Sequence, residues 1–257
     1  MEIKNRKLFE NLISSAMEQD FSGWDFSYIG DRWQDPPTTW DYTQIVQKHL
    51  STEISLLDMD TGGGEFLSSL RPLPKTTYAT EGYAPNIPVA KRRLEPLGIK
   101  VIETLDGKDS LPFPARFFDL VINRHGSYSP PEIYRILKPN GLFIIQQVGG
   151  QNNFEINEML QDFPEFIYSH WTLNLAVDQL LAAGFEILEQ REEFPEGRIF
   201  DIGALIYYLK LVSWQIADFS IERYYQKLAA LHNQIQENRE IKVRSHLFLI
   251  VAKKPSS

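Results

Sequence analysis

The run Leu56-Leu57-Asp58-Met59-Asp60-Thr61-Gly62-Gly63-Gly64-Glu65-Phe66-Leu67 constrains the fold more than any other stretch of the chain. A short apolar segment ends in an acidic residue, consecutive glycines follow, and a helix-like apolar pattern begins. That order predicts a strand, a tight turn and a helix, the opening of a nucleotide-binding α/β unit. Glycine suits such a turn because it adopts positive φ freely and has no side chain to hold a ligand away from the backbone. By itself the run is equally compatible with a plain turn, so the downstream sequence decides.

Thr76-Thr77-Tyr78-Ala79-Thr80-Glu81 reads as a second strand ending in an acid, about 20 residues past the glycines, the spacing of one βαβ unit. A carboxylate at that strand end can accept hydrogen bonds from both hydroxyls of a ribose. Gly82 opens the turn that follows, Gly82 to Asn86. Val89 to Leu94 continues as a basic helix, and Gly98 to Ile102 as a third strand. Leu111-Pro112-Phe113-Pro114-Ala115-Arg116-Phe117-Phe118-Asp119-Leu120-Val121-Ile122 runs into a fourth strand. Glu132 to Leu137 forms a helix that Pro139 stops. Asn140-Gly141 supplies a tight turn into a fifth strand. Leu173 to Ala183 is a helix ending at Gly184. Phe185 to Glu193 and Ser245 to Ala252 give the sixth and seventh strands.

Two templates fit the glycine turn. The dinucleotide fingerprint G-x-G-x-x-G takes Gly62 and Gly64 but places Leu67 at its third glycine, which argues against NAD or FAD. The second template is acidic-x-G-x-G-x-G, with Asp58 at the acid, Gly62 and Gly64 at the later glycines, and Asp60 where the first glycine belongs. With the strand-end Glu81, the Leu111-Pro112-Phe113 block and the Leu137-Lys138-Pro139-Asn140-Gly141 block in order, residues 50 to 150 resemble the class I S-adenosylmethionine (SAM) methyltransferases, closest to the bacterial small-molecule type. The resemblance implies an α/β Rossmann-like fold with a seven-stranded, mostly parallel sheet, an antiparallel last strand and helices on both faces. It implies that Asp58, Gly62 and Gly64 shape the methionine side of a SAM site. Glu81, with Gly82 beside it, would hold the ribose, and either Asp106 or Asp109 would meet the adenine amino group. Asn123, at the end of the fourth strand, would touch the cofactor. Asp60 would lie near the methionine end, where it could attract the α-ammonium and repel the α-carboxylate.

The chain has 257 residues, 43% of them hydrophobic, which suits one α/β domain with additions. Residues 1 to 50 are expected to form a helical and aromatic cap, and residues 51 to 257 the SAM-binding domain with a helical insertion at about 195 to 240. Within the cap, Lys4 to Met17 has helical apolar spacing, Thr39 to Leu50 reads as a second helix, and Trp24, Phe26, Tyr28, Trp33 and Trp40 cluster between them. Those aromatics are either a cover for the ligand crevice or a mini-core of their own. Gln146 to Asn153 reads as a polar loop at the sheet edge that carries the site.

A formal net charge of −8 argues against nucleic acid as the main partner, because phosphate binding depends on clustered Lys and Arg. No apolar run suits a membrane span and no secretory signal is visible, so neither a membrane nor export is expected. Zero cysteines exclude disulfides and thiolate metal sites and fit a cytoplasmic protein. The expected function is methyl transfer from SAM to a small molecule. A tRNA or rRNA methyltransferase, a non-catalytic SAM-binding protein and an NAD oxidoreductase are the alternatives. His125, in the loop facing the methyl donor, is the candidate general base, or else a polar residue bonded to a backbone carbonyl.

Overall fold

The computed structural model describes residues 3–21, 26–104 and 110–256. Asp106, Asp109 and Trp24 lie outside the described residues. In chain order the elements are α1 (Ile3–Glu18), β1 (Trp33–Gln34), α2 (Tyr42–Gln47), β2 (Ser55–Met59), α3 (Glu65–Ser69), β3 (Thr76–Glu81), α4 (Ile87–Leu94), β4 (Lys100–Glu103), β5 (Phe118–Arg124) and α5 (Pro130–Ile136). There follow β6 (Leu137–Val148), α6 (Phe154–Leu160), α7 (Leu173–Ala182), β7 (Glu186–Glu193), β8 (Glu196–Ile199), α8 (Ile202–Leu211), α9 (Ile221–Asn238), β9 (Ile241–Arg244) and β10 (Leu247–Lys253).

The main sheet has seven strands in the order β4-β3-β2-β5-β6-β10-β7. Strands β2 to β6 run parallel, and β10 lies antiparallel between β6 and β7. This is the Rossmann-like arrangement that the motif order implies. Its strands are buried on both faces, and their side chains divide with period two. Leu57, Met59, Val121, Phe143, Ile145 and Phe248 face α5 and α7. Leu56, Leu120, Ile122, Ile144 and Leu249 face α2, α3 and α4. Leu67, the residue that fails the dinucleotide fingerprint, is fully buried in this second layer.

A separate apolar cluster joins α1, α6, α8 and α9, through residues such as Phe9, Ile13, Leu160, Leu205, Leu228 and Ile235. Beside it lies a three-stranded antiparallel sheet, β1-β8-β9, which the sequence does not announce. Its strands span 2, 4 and 4 residues and come from distant parts of the chain, too short for a period-two pattern to stand out. Tyr28 packs on Tyr207 at 4.6 Å between ring centroids, and Trp33 on Tyr208 at 4.8 Å. Phe21 and Phe26 pack on the same cluster. The described N-terminal aromatics therefore form a mini-core, except Trp40 and Tyr42, which join the main core.

Two local expectations change. Helix α2 is shorter than residues 39–50, because Asp41 caps it by accepting the Gln44 N–H at 3.1 Å. Residues Pro139 to Gly141 do not form a turn ahead of the fifth strand; they sit inside β6 as a shift of its register with β5. Asn140 takes the positive φ there, at 64°.

Candidate functional site

The C-terminal edge of the parallel strands gathers most of the residues singled out from sequence. β2 delivers Asp58, which is buried and accepts the Thr61 hydroxyl at 2.7 Å. Burial pushes the Asp58 carboxyl up to about 7, and the neighbouring Asp60 and Glu81 carboxylates add to the rise. The turn then passes through three left-handed residues, Asp60 (φ 53°), Gly62 (φ 63°) and Gly64 (φ 80°). Aspartate is among the few non-glycine residues that adopt this conformation, which is how Asp60 stands in the motif's glycine position. The Thr61 amide donates to Thr80 O at 2.9 Å and the Asp60 amide to Thr80 Oγ1 at 3.3 Å, tying the turn to β3.

Glu81 closes β3. Its Oε1 accepts the Tyr83 N–H at 2.7 Å, and the amides of Gly62 and Gly82 also bond to the carboxylate. Burial raises its pKa, an effect those amides oppose. Gly62 and Gly82 are thus brought together by one carboxylate.

β5 places Asn123 beside the turn. A Cβ added at Gly126 would lie 2.3 Å from Asp60 Oδ2 and 2.8 Å from Asn123 Nδ2, so Asp60 and Asn123 meet at one point. Asn123 is fully buried. Its Oδ1 accepts from Gln147 Nε2 at 2.7 Å, while its Nδ2 is left without a partner. A buried orphan donor costs stability unless a ligand completes it. Together with the left-handed glycine turn and the strand-end Glu81, it fits a bound nucleoside cofactor with a polar tail.

His125 follows, at φ 70°. Its own amide donates to Gln146 O at 2.9 Å, and its ring Nε2 stands 3.5 Å from Gln146 Nε2. The ring faces a side-chain amide, not the backbone carbonyl considered from sequence. One side opens to solvent, but the surrounding protein and the Arg124 guanidinium push its pKa below the usual histidine value, so the imidazole is neutral at pH 7.

Gln146 and Gln147 belong to β6, which runs to Val148; the expected polar loop starts only after it. Over this edge lies residue stretch 36–43. Thr39 is held by Glu193 through its amide, at 3.0 Å to Oε2, and through its hydroxyl. Trp40 Nε1 donates to Gln146 Oε1 at 2.8 Å, and the Tyr42 hydroxyl lies 3.2 Å from both Asn123 O and Ile144 O. Between this stretch and the strand ends is a cavity of about 460 Å³, whose lining includes Trp40, Arg124, Gln146 and Leu247. No residue of the insertion at 195 to 240 lines it. Thr39 is the lining residue that sequence reasoning misses; an isolated Thr ahead of a helix cap carries no periodic signal.

Residues 57–145 match the family model described as a methyltransferase domain. No curated protein matches the sequence. Among solved structures, a Bacillus halodurans C-125 protein provisionally described as a methyltransferase superposes with a TM-score of 0.57 at 19% identity, covering 84% of this chain and 99% of that one. The cyclase SpnF gives 0.53 at 18% identity over 99% of this chain and 95% of its own. Haemonchus contortus phosphoethanolamine N-methyltransferase 2, solved with SAM, gives 0.54 at 16% identity over 96% of this chain and 60% of its own. These likenesses establish the shared fold.

Asp60 can be tested directly. Replacing it with glycine removes an aspartate from a left-handed position and thins the acidic cluster, so Asp60→Gly is expected to be more stable by about 1 kcal/mol. It is also expected to bind S-adenosylhomocysteine at least as tightly as the parent. A tenfold loss of affinity in calorimetry would instead make Asp60 a ligand contact.

Proposed function

We propose that this chain is a SAM-dependent methyltransferase and that it methylates a small molecule held between residues 36–43 and the ends of β5 and β6. The observation that carries this reading is the cavity of about 460 Å³ that adjoins Arg124 and Gln146, next to Asn123 and His125. Its size suits a small ligand. The net charge of −8 supports the same choice over RNA.

SAM, when bound, supplies an activated methyl group. The chain's part is to hold donor and acceptor in line and to exclude water. Glu81 would take the ribose hydroxyls, and Asp58 the positive end of the methionine moiety. Asn123 Nδ2 would gain the partner it lacks. Either Asp106 or Asp109 would meet the adenine amino group. Trp40 and Tyr42, fixed by their bonds to β5 and β6, keep the roof of the cavity in place. His125 is present as the neutral imidazole, able to accept a proton from the acceptor, and its low basicity suits an acceptor that becomes acidic as it is methylated.

Calorimetry should show binding of SAM and S-adenosylhomocysteine and none of NADH. Glu81→Ala should weaken the former by about 1–3 kcal/mol, the cost of losing buried hydrogen bonds. Label from methyl-labelled SAM should enter a small-molecule cell extract and not bulk tRNA or rRNA. NADH binding alone would overturn the cofactor, and labelled RNA with an unlabelled small-molecule fraction would overturn the acceptor.

A further inference from the structure

We infer that the methyl acceptor carries an anionic group, a carboxylate or a phosphate, that pairs with Arg124 inside the cavity under residues 36–43. The inference rests on the methyltransferase reading and narrows its substrate class. Arg124 is the sole cationic side chain in the cavity lining. Among the described residues no carboxylate lies within ion-pairing distance of its guanidinium, which stands 5.7 Å over the Phe66 ring. An aromatic face orients a guanidinium without neutralising it, leaving its fork of donors available to a planar or tetrahedral oxyanion.

Apart from the neutral Thr43 hydroxyl, the other polar side chains of the lining are engaged within the protein. Thr38 Oγ1 donates to Trp40 O at 2.7 Å, Thr39 is held by Glu193, and Trp40 Nε1 is bound to Gln146. Asp41, the one acid in the lining, accepts the Gln44 N–H as the cap of α2. The cavity therefore presents one charge-bearing group with donors to spare. An exposed arginine is often merely solvated, but this one follows Asn123 directly at the strand end where the methyl donor is expected. No residue of the Asp60–Gly64 turn lines the cavity; it opens instead toward β6 and β10 through Gln146 and Leu247. That placement assigns Arg124 to the acceptor and not to the carboxylate of the cofactor.

Saturation-transfer NMR on the protein with S-adenosylhomocysteine, using benzoate, phenyl phosphate and benzamide as probes, tests this. At least one anionic probe is expected to receive signal and benzamide none; which anion binds separates carboxylate from phosphate. Arg124→Ala should weaken the anionic probe tenfold or more and Arg124→Lys less, with affinity for S-adenosylhomocysteine changed less than twofold. Equal binding of benzamide, no anion binding, or an Arg124→Ala variant that binds the anion as the parent does would each overturn the proposal. So would a tenfold loss of S-adenosylhomocysteine affinity in Arg124→Ala, which moves Arg124 to the cofactor. A parent that binds no S-adenosylhomocysteine refutes the methyltransferase reading instead, and the probes run without it still report on the cavity.

Discussion

Gly64→Ala is expected to lower the melting temperature by about 10 °C. Gly64 caps α3 with φ 80°, and a Cβ there would lie 2.7 Å from Cγ of Leu94 and within 3.0 Å of both its methyl carbons. Leu94 is fully buried in the layer that packs α3 and α4 on the sheet, so it has nowhere to retreat. The left-handed backbone costs an alanine about 1–2 kcal/mol, and overpacking adds about 1–3 kcal/mol. Gly63→Ala is the control. Gly63 has no positive φ, and its added Cβ would meet only the carboxylate of Glu65, an exposed side chain paired with Arg93. That variant is expected to lose less than about 1 kcal/mol. Thermal unfolding followed by circular dichroism reads both. Equal, small losses would mean that Gly64 is not needed for packing against α4, and that its role is confined to ligand approach.

The two glycines show why this part of the molecule was legible. A tight turn between a buried strand and a buried helix leaves few residue types possible, so Gly62, Gly64 and the strand-end Glu81 are written plainly into the chain. The same holds for the main sheet, whose strands are continuous apolar runs between turn residues. Legibility fails where a feature depends on distant partners. The β1-β8-β9 sheet pairs Trp33 with Ile199 and Ile199 with Ile241, contacts that no local pattern encodes. Tyr42 looked like one more residue of a helix; its proximity to the carbonyls of Asn123 and Ile144 depends on where α2 docks. The aromatic content near the N-terminus was visible, but its direction was not. Most of those described rings turn toward α8, away from the cavity, because α8 offers a fully buried apolar surface to pack against.

Asp58→Asn is expected to change how stability depends on pH. In the folded protein the Asp58 carboxyl titrates near 7, against about 3.9 for an unperturbed aspartate. Between those values the folded state holds a proton that the unfolded state has released, so Asp58 favours folding most below pH ~4 and loses that contribution as pH rises through 7. The loss is on the order of a few kcal/mol by pH 8. Asparagine keeps an acceptor for the Thr61 hydroxyl and cannot ionise. Its stability relative to the parent should therefore climb with pH, from near parity at pH 4.5 to a clear excess at pH 8, in urea denaturation. Asp119, Glu132 and Glu155, whose pKa values lie below the usual range, have the opposite pH dependence but cancel in the comparison because both proteins carry them. The same proton links folding to the proposed cofactor. A ligand with its ammonium or sulfonium near Asp58 favours the ionised form, so binding at pH 7 should release protons from the parent, seen as a calorimetric heat that varies with the buffer's ionisation enthalpy. In Asp58→Asn that dependence should largely vanish. If it persists undiminished, or if the variant follows the parent at every pH, Asp58 is already ionised in the folded protein, and the acidic cluster around Asp60 and Glu81 is satisfied without holding a proton.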